Sequence, residues 1–253
     1  GYDPALGFEY RDGFAAGKAR LMHSWIPGEG SSLGRVTALT TWRLFTRTRD
    51  RSVESALARA RVMIDFKAGH WFNFAFNAFR EDVAEAFSLP GADIPAGAHD
   101  GMDIFTRFEM SRGRDLGTDL QLYTGSAFDG WRTYVSVEPW WRVSGHLTLG
   151  TVLNLHRLTF PQRNQTVNAD RVSLRVSGAL DTRLSAEALV QYLGASRSVG
   201  TNLRIHYRFA EGRDLYVVLD EVRDIDDLPG GAARLLGRTD RRLLLKYSYA
   251  FRR

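Results

Sequence analysis

The sequence predicts an all-β chain, an antiparallel up-and-down transmembrane β-barrel with about 14 strands. Three observations carry that prediction. Apolar residues recur with a period of two along most of the 253 residues and seldom at helical spacing. Most alternating segments reach the roughly 9 to 11 residues a tilted strand needs to cross a bilayer, against about 5 to 6 in soluble sheets. From about residue 68 onward, short and longer links take turns, as periplasmic turns and external loops do in outer-membrane barrels.

Taken in order, the segments are 5–11, 14–26, 34–49, 58–69, 71–80, 102–113, 117–127, 131–140, 146–160, 170–181, 184–195, 200–211, 213–223 and 239–251. In the fourth, Val62, Ile64, Phe66 and Ala68 alternate with Arg61, Met63, Asp65 and Lys67. Next, Phe72, Phe74, Phe76 and Ala78 alternate with Trp71, Asn73, Ala75 and Asn77. From Val172 to Leu180 the apolar residues are separated by Ser173, Arg175 and Ser177. Leu203, Ile205, Tyr207 and Phe209 oppose Asn202, Arg204, His206 and Arg208. The last segment sets Leu243, Leu245, Tyr247, Tyr249 and Phe251 against Arg242, Leu244, Lys246, Ser248 and Arg252. Side chains alternate across a strand, so each segment has one apolar and one polar face.

Tight turns are expected around His70, Gly113–Gly117, Arg142–His146, Asp181–Ser185 and Glu211–Arg213, and longer links at 81–101, 126–130, 161–169, 195–200 and 224–238. Residues 26–33 are long where the scheme wants a short turn. The stretch 81–101 begins acidic, predicts a helical turn at Val83–Phe87, then becomes rich in Pro and Gly. Such a stretch suits an external loop or a constriction folded into the lumen, where its acids could gate a basic path.

Composition excludes several alternatives. A hydrophobic fraction of 44% is that of a folded protein. No apolar run approaches the roughly 18 to 20 residues of a membrane-spanning helix. Cysteine is absent, which removes disulfides, thiolate metal sites and cysteine nucleophiles. Net charge is +5, from 34 Lys+Arg against 29 Asp+Glu, but the cations alternate with Leu, Ile, Val and Phe instead of forming one patch. Nucleic acid is therefore not an expected partner. The chain opens on Gly1 without a signal-peptide pattern and reads as a mature or excised piece. Residues 1–253 are expected to form one barrel domain, or the C-terminal part of a larger barrel.

A bilayer decides which face is which. An ionised side chain on the lipid face costs about 2 to 4 kcal/mol at mid-bilayer. That cost assigns Lys18, Arg20, Arg61, Lys67, Arg107, Arg175, Arg204, Arg208, Arg242 and Lys246 to the lumen, with Asp65, Glu109, Asp119, Glu138, Glu187 and Asp220 beside them. The lumen is then either a basic, anion-preferring pore or a space plugged by cross-strand ion pairs. Trp25, Trp71, Trp131, Trp140, Trp141, Tyr207 and Tyr247 fall near strand ends, where interfacial girdles form.

Catalysis finds no support. His23, His70, His99, His146, His156 and His206 lack metal-ligand spacing. Asn154 and His156 share a face, but no nucleophilic serine is marked beside them. Glycines 113, 117, 125 and 130 lack the spacing of a phosphate loop. No catalytic residue, metal or cofactor is expected.

The run TNLRIHYRFAEGRDLYVVLDEVRD (201–224) and the closing RRLLLKYSYAFRR (241–253) resemble the end of the DUF5916 family. DPALGFEYRDGF (3–14) and YLGASRSVGTNLR (192–204) resemble further family segments. Ala210-Glu211, where the family has a proline, and the extra Arg253 depart from the pattern. The resemblance implies an outer-membrane barrel, often preceded by a carbohydrate-binding family-9-like domain, and transfers no catalytic residue. Expected partners are membrane lipid and lipopolysaccharide, the outer-membrane assembly machinery and a periplasmic or surface protein. The expected function is a channel or binding barrel for a polar, anionic solute in the bacterial outer membrane, with a non-conducting scaffold barrel as the alternative.

Overall fold

The computed structural model describes residues 13–227 and 233–250. The strands are β1 (Phe14–Trp25), β2 (Leu33–Arg47), β3 (Val53–Phe66), β4 (Trp71–Val83), β5 (Phe87–Leu89), β6 (Ala92–Ile94), β7 (Gly97–Glu109) and β8 (Leu116–Ala127). They continue as β9 (Gly130–Ser144), β10 (Leu147–Phe160), β11 (Gln165–Asn168), β12 (Arg171–Ala179), β13 (Leu184–Leu193), β14 (Ser198–Ala210), β15 (Arg213–Asp227) and β16 (Ala233–Tyr249). Fourteen form one sheet in chain order from β1 to β16, omitting β5 and β6, with β11 an extra strand on β10. Every described ladder is antiparallel. The fold is all-β and up-and-down, as the alternation predicts, with no α-helix among the described residues. Of the expected segments, 5–11 lies outside the described residues.

The chain divides into two compact units, Gly1–Phe108 with Gln121–Tyr134 and Arg157–Val167, and Glu109–Leu120 with Val135–His156 and Asn168–Arg253. In each, pairing follows the alternation. Ala58, Ala60 and Val62 of β3 face Ala78, Phe76 and Phe74 of β4, while Arg59 and Arg61 face Asn77 and Ala75. Exposure separates the faces: Phe74 and Phe76 are 41% and 43% exposed, whereas Asn73, Ala75 and Asn77 are buried. Large apolar side chains that point into solvent at every second position are unusual for a soluble protein and ordinary against lipid.

Several links depart from expectation. Residues 126–130 close in a tight turn at Phe128 and Asp129, with Phe128 at φ 55. Non-glycine residues seldom adopt that conformation; here the Phe128 ring packs edge-on to Phe87 and Arg163 bonds Asp129 at 2.9 Å. The 195–200 link is likewise short, since β14 begins at Ser198. In the 224–238 link the ladder continues through Ile225↔Leu235 and Asp227↔Ala233. Strand pairing satisfies these backbone groups, so turn-forming composition overstated loop length.

The stretch 81–101 contains no helical turn at Val83–Phe87. It folds as the hairpin β5–β6, turning through Gly91 at φ +92. The hairpin buries Ala92 and Ile94 against Ala127, Leu158 and Phe160, a small apolar core in the first unit. Asp93 and Gln165 clamp it with two hydrogen bonds. Ala127, Leu158 and Phe160 share the polar face of their strands, so the hairpin lies over that face.

Candidate functional site

The strand registers sort the charges. In the first unit the apolar face carries Gly17, Ala19 and Leu21 of β1, Ala38, Thr40, Trp42 and Leu44 of β2, Ala56 to Ile64 at alternate positions of β3, and Phe72 to Ala78 of β4. Not one of these is Asp, Glu, Lys or Arg. In the second unit the same holds for Val172 to Gly178, Leu184 to Tyr192, Val199 to Phe209 and Leu215 to Leu219 at alternate positions. The band ends at Glu221, which bonds Arg223 and Arg241 on that face.

Lys18, Arg20 and Arg61 stand on the polar face of β1 and β3, with Asp65 near the end of the latter. Lys67 is not on a strand. It sits in the β3–β4 turn, where its Nζ donates to the carbonyls of Gly28 and Glu29 at 3.0 and 2.9 Å. Arg107 of β7 lies 5.6 Å from the Trp71 ring centroid. In the second unit the charges are largely paired. Arg175 meets Glu187 at 2.9 Å, Arg204 is the register partner of Glu187, and Arg208 meets Asp214 at 3.3 Å. Asp220 accepts from Asn202 and stands opposite Arg242; Lys246 approaches the Tyr216 ring at 5.9 Å. Glu109 pairs with Arg112 at 3.0 Å, Glu138 accepts from Ser136 at 3.2 Å, and Asp119 is buried.

Two of the predicted girdle tryptophans belong to the polar face. Trp71 shares the side of Asn73, and Trp140 lies where a Cβ at Gly117 would collide with its ring. Trp25, Trp131, Trp141 and Tyr247 are exposed on the other side, and the half-buried Tyr207 shares that side by register.

The most built cluster was missed by the sequence reading. On the polar face of the first unit, Asp103 of β7 is 4% exposed and accepts from the Asn77 amide and from Tyr123 Oη at 2.6 Å. Arg132 of β9 sits over the Tyr123 ring, its Cζ 4.0 Å from the centroid, with Nη2 4.0 Å from the Asp103 carboxylate. Asn77 turns its oxygen to Arg59 Nε at 2.6 Å. These groups, with Arg43, line a cavity of about 280 Å³. Among the described residues Lys18, Arg20, Arg43 and Arg61 have no ion-pair partner, and the buried Nε atoms of Arg61 and Arg132 have no acceptor. Parity with Arg61 was available in the sequence for Arg59; the cross-strand neighbours were not.

Among the described residues the serines and histidines form no assembled nucleophilic centre. Ser136 Oγ bonds Asn154 at 2.7 Å and Glu138 at 3.2 Å. His206 pairs through Nε2 with Asp214 at 2.8 Å and stacks on Tyr216 at 4.5 Å, while Ser185, its register partner, makes no hydrogen bond to the ring. Among the described residues no three acidic or histidine side chains gather to hold a metal.

No family model matches the chain, and no curated protein does. Among solved structures it is similar to a NanC porin, at 11% identity over 78% of this chain and 94% of that one, with a TM-score of 0.34. It is also similar to a KdgM porin in complex with disordered oligogalacturonate, at 9% identity over 94% of this chain and 100% of that one, with a TM-score of 0.33.

Proposed function

We propose that the chain forms a porin-like wall of the bacterial outer membrane, with its apolar face against lipid and its polar face along a basic, water-filled path for a polar, anionic solute. One observation carries the reading: in both units an apolar band free of Asp, Glu, Lys and Arg, bounded by Arg80 in the first unit and by Glu221 in the second, backs a face rich in arginine. Charge at mid-bilayer costs about 2 to 4 kcal/mol per group, so such segregation fits strands that cross lipid. Strand edges in hydrocarbon must also be paired. The reading therefore requires β1 and β16 to close on each other or on further strands, as in the larger barrels that the DUF5916 resemblance implies. It assigns no catalysis.

The test is single-channel recording of the detergent-purified protein in a planar bilayer under a salt gradient. Discrete steps with a reversal potential favouring anions are expected. A protein that inserts stably and never conducts would remove the path. A non-conducting scaffold is the second reading, favoured by one feature: the β5–β6 hairpin packs Ile94 onto Leu158 and Phe160 of the polar face.

A further inference from the structure

We infer that the cavity bounded by Arg43, Arg59, Asn77, Asp103, Tyr123 and Arg132 is a binding subsite for a sugar-sized ligand bearing one oxyanion, a carboxylate or a phosphate ester. The inference rests on the reading that the polar face is open to water.

The cavity's charge is unbalanced. Its polar-face lining holds Arg43, Arg59 and Arg132 against Glu81 and Asp103; Arg80, opposite Ala56 in register, is already paired with Asp100 at 3.1 Å and does not enter the balance. Asp103 is already engaged by Asn77, Tyr123 and Arg132, so it offers little to an incoming cation. Arg59 is anchored through Nε alone, which leaves its Nη donors to face the cavity. Arg43 has no ion-pair partner among the described residues. A guanidinium held at its root presents a planar fork, and such forks match carboxylate and phosphate oxygens in pairs. Here the Arg59 root is fixed before a ligand arrives, which lowers the ordering cost of binding.

Size and wall chemistry narrow the class. About 280 Å³ is near the lower end for small-molecule pockets, which run roughly 300 to 1,000 Å³. Phe45, Leu57 and Phe79 supply apolar wall, and Ser55 adds a hydroxyl. Apolar wall beside fixed polar donors suits a ring with carbon-bound hydrogens on one face, hydroxyls at its edge and a charge at one end. A bare inorganic anion would leave the apolar wall unused.

The experiment is calorimetric titration of the full chain in detergent micelles with glucuronate, glucose 6-phosphate, glucose and inorganic phosphate. At least one anionic sugar is expected to bind about tenfold tighter than glucose and than inorganic phosphate. Whichever of the two binds tighter identifies the carboxylate or the phosphate as the preferred group. Arg43→Gln, which removes a partly exposed side chain without touching the Asp103 network, is expected to weaken binding about tenfold, and Arg59→Gln at least as much. Arg183→Gln, in the exposed β12–β13 turn of the second unit, is expected to leave it unchanged. Equal affinity for all four probes overturns the inference, as does an Arg43→Gln effect no larger than that of Arg183→Gln. Conductance on the same preparation separates the two readings. A conducting protein that ignores the sugars loses the subsite alone, and one that binds glucuronate without conducting loses the path alone.

Discussion

Tyr123 donates its hydroxyl to the Asp103 carboxylate at 2.6 Å, and the same ring carries the Arg132 guanidinium on its face at 4.0 Å. One side chain thus holds an acid by its edge and a base by its π-cloud. Both attachments are made on the polar face of the first unit, where arginines outnumber carboxylates.

Tyr123→Phe separates the two attachments. It keeps the ring beneath Arg132 and removes only the donor to Asp103. A carboxylate 4% exposed then lacks one partner, at a cost of about 1 to 3 kcal/mol. The expected result is a lower midpoint in urea unfolding of the detergent-solubilised protein. An unchanged midpoint would mean that water replaces the phenol without loss.

The lipid face predicts an asymmetry between neighbouring strands. Phe74→Arg places charge on the apolar face, whereas Thr41→Arg adds it to the polar face, beside Arg20 and Arg59 in register. Folding into lipid vesicles is expected to lose about 2 to 4 kcal/mol for the first and little for the second. Equal losses would show that the two faces do not differ in environment, and a larger loss for Thr41→Arg that they are assigned the wrong way round.

Period-two alternation located every strand that pairs across the main path from β1 to β16, because a pleated strand with one face in oil must repeat every second residue. It also placed Arg61 opposite Val62 correctly as to side. What it could not supply was proximity. Arg59, Asn77, Asp103, Tyr123 and Arg132 come from five strands, and register decides which of them meet. Trp140 was misjudged for a different reason: position near a strand end does not set parity, and Trp140 shares that of Ser136 and Glu138, with Gly117 leaving room for its ring on the polar side. The hairpin at 87–94 was hidden because its strands are only three residues each, too short for alternation to show.

That hairpin is held by very little. Ile94 is fully buried, and Phe160 beneath it is 1% exposed. Ile94→Ala is expected to cost about 2 to 5 kcal/mol locally, which exceeds what so small a core and the Asp93–Gln165 clamp can retain. Amide exchange at 84–96 should accelerate by at least tenfold while β2 to β4 stay protected. If the hairpin obstructs the path, conductance rises in the same variant; if conductance is unchanged, the scaffold reading loses its one support.

Two turns predict how the protein responds to acid. Asp181 accepts from the backbone N–H groups of Arg183 and Leu184 at 2.7 and 2.8 Å, and these bonds hold its carboxyl below the ordinary carboxylate value. Asp50 is lowered in the same direction, by the hydroxyl and the N–H of Ser52 at 2.6 and 2.9 Å. A depressed folded-state pKa means that the ionised form is favoured by folding. The contribution is fully present above the unfolded value of about 3.9 and is lost as pH falls through the lower, folded one. Asp181→Ala should therefore lower the thermal unfolding midpoint at pH 7, and the gap to the parent should close only below about pH 4. A gap that persists undiminished at pH 2 would assign the effect to turn geometry alone, and one that closes near pH 6 would require a different titrating group.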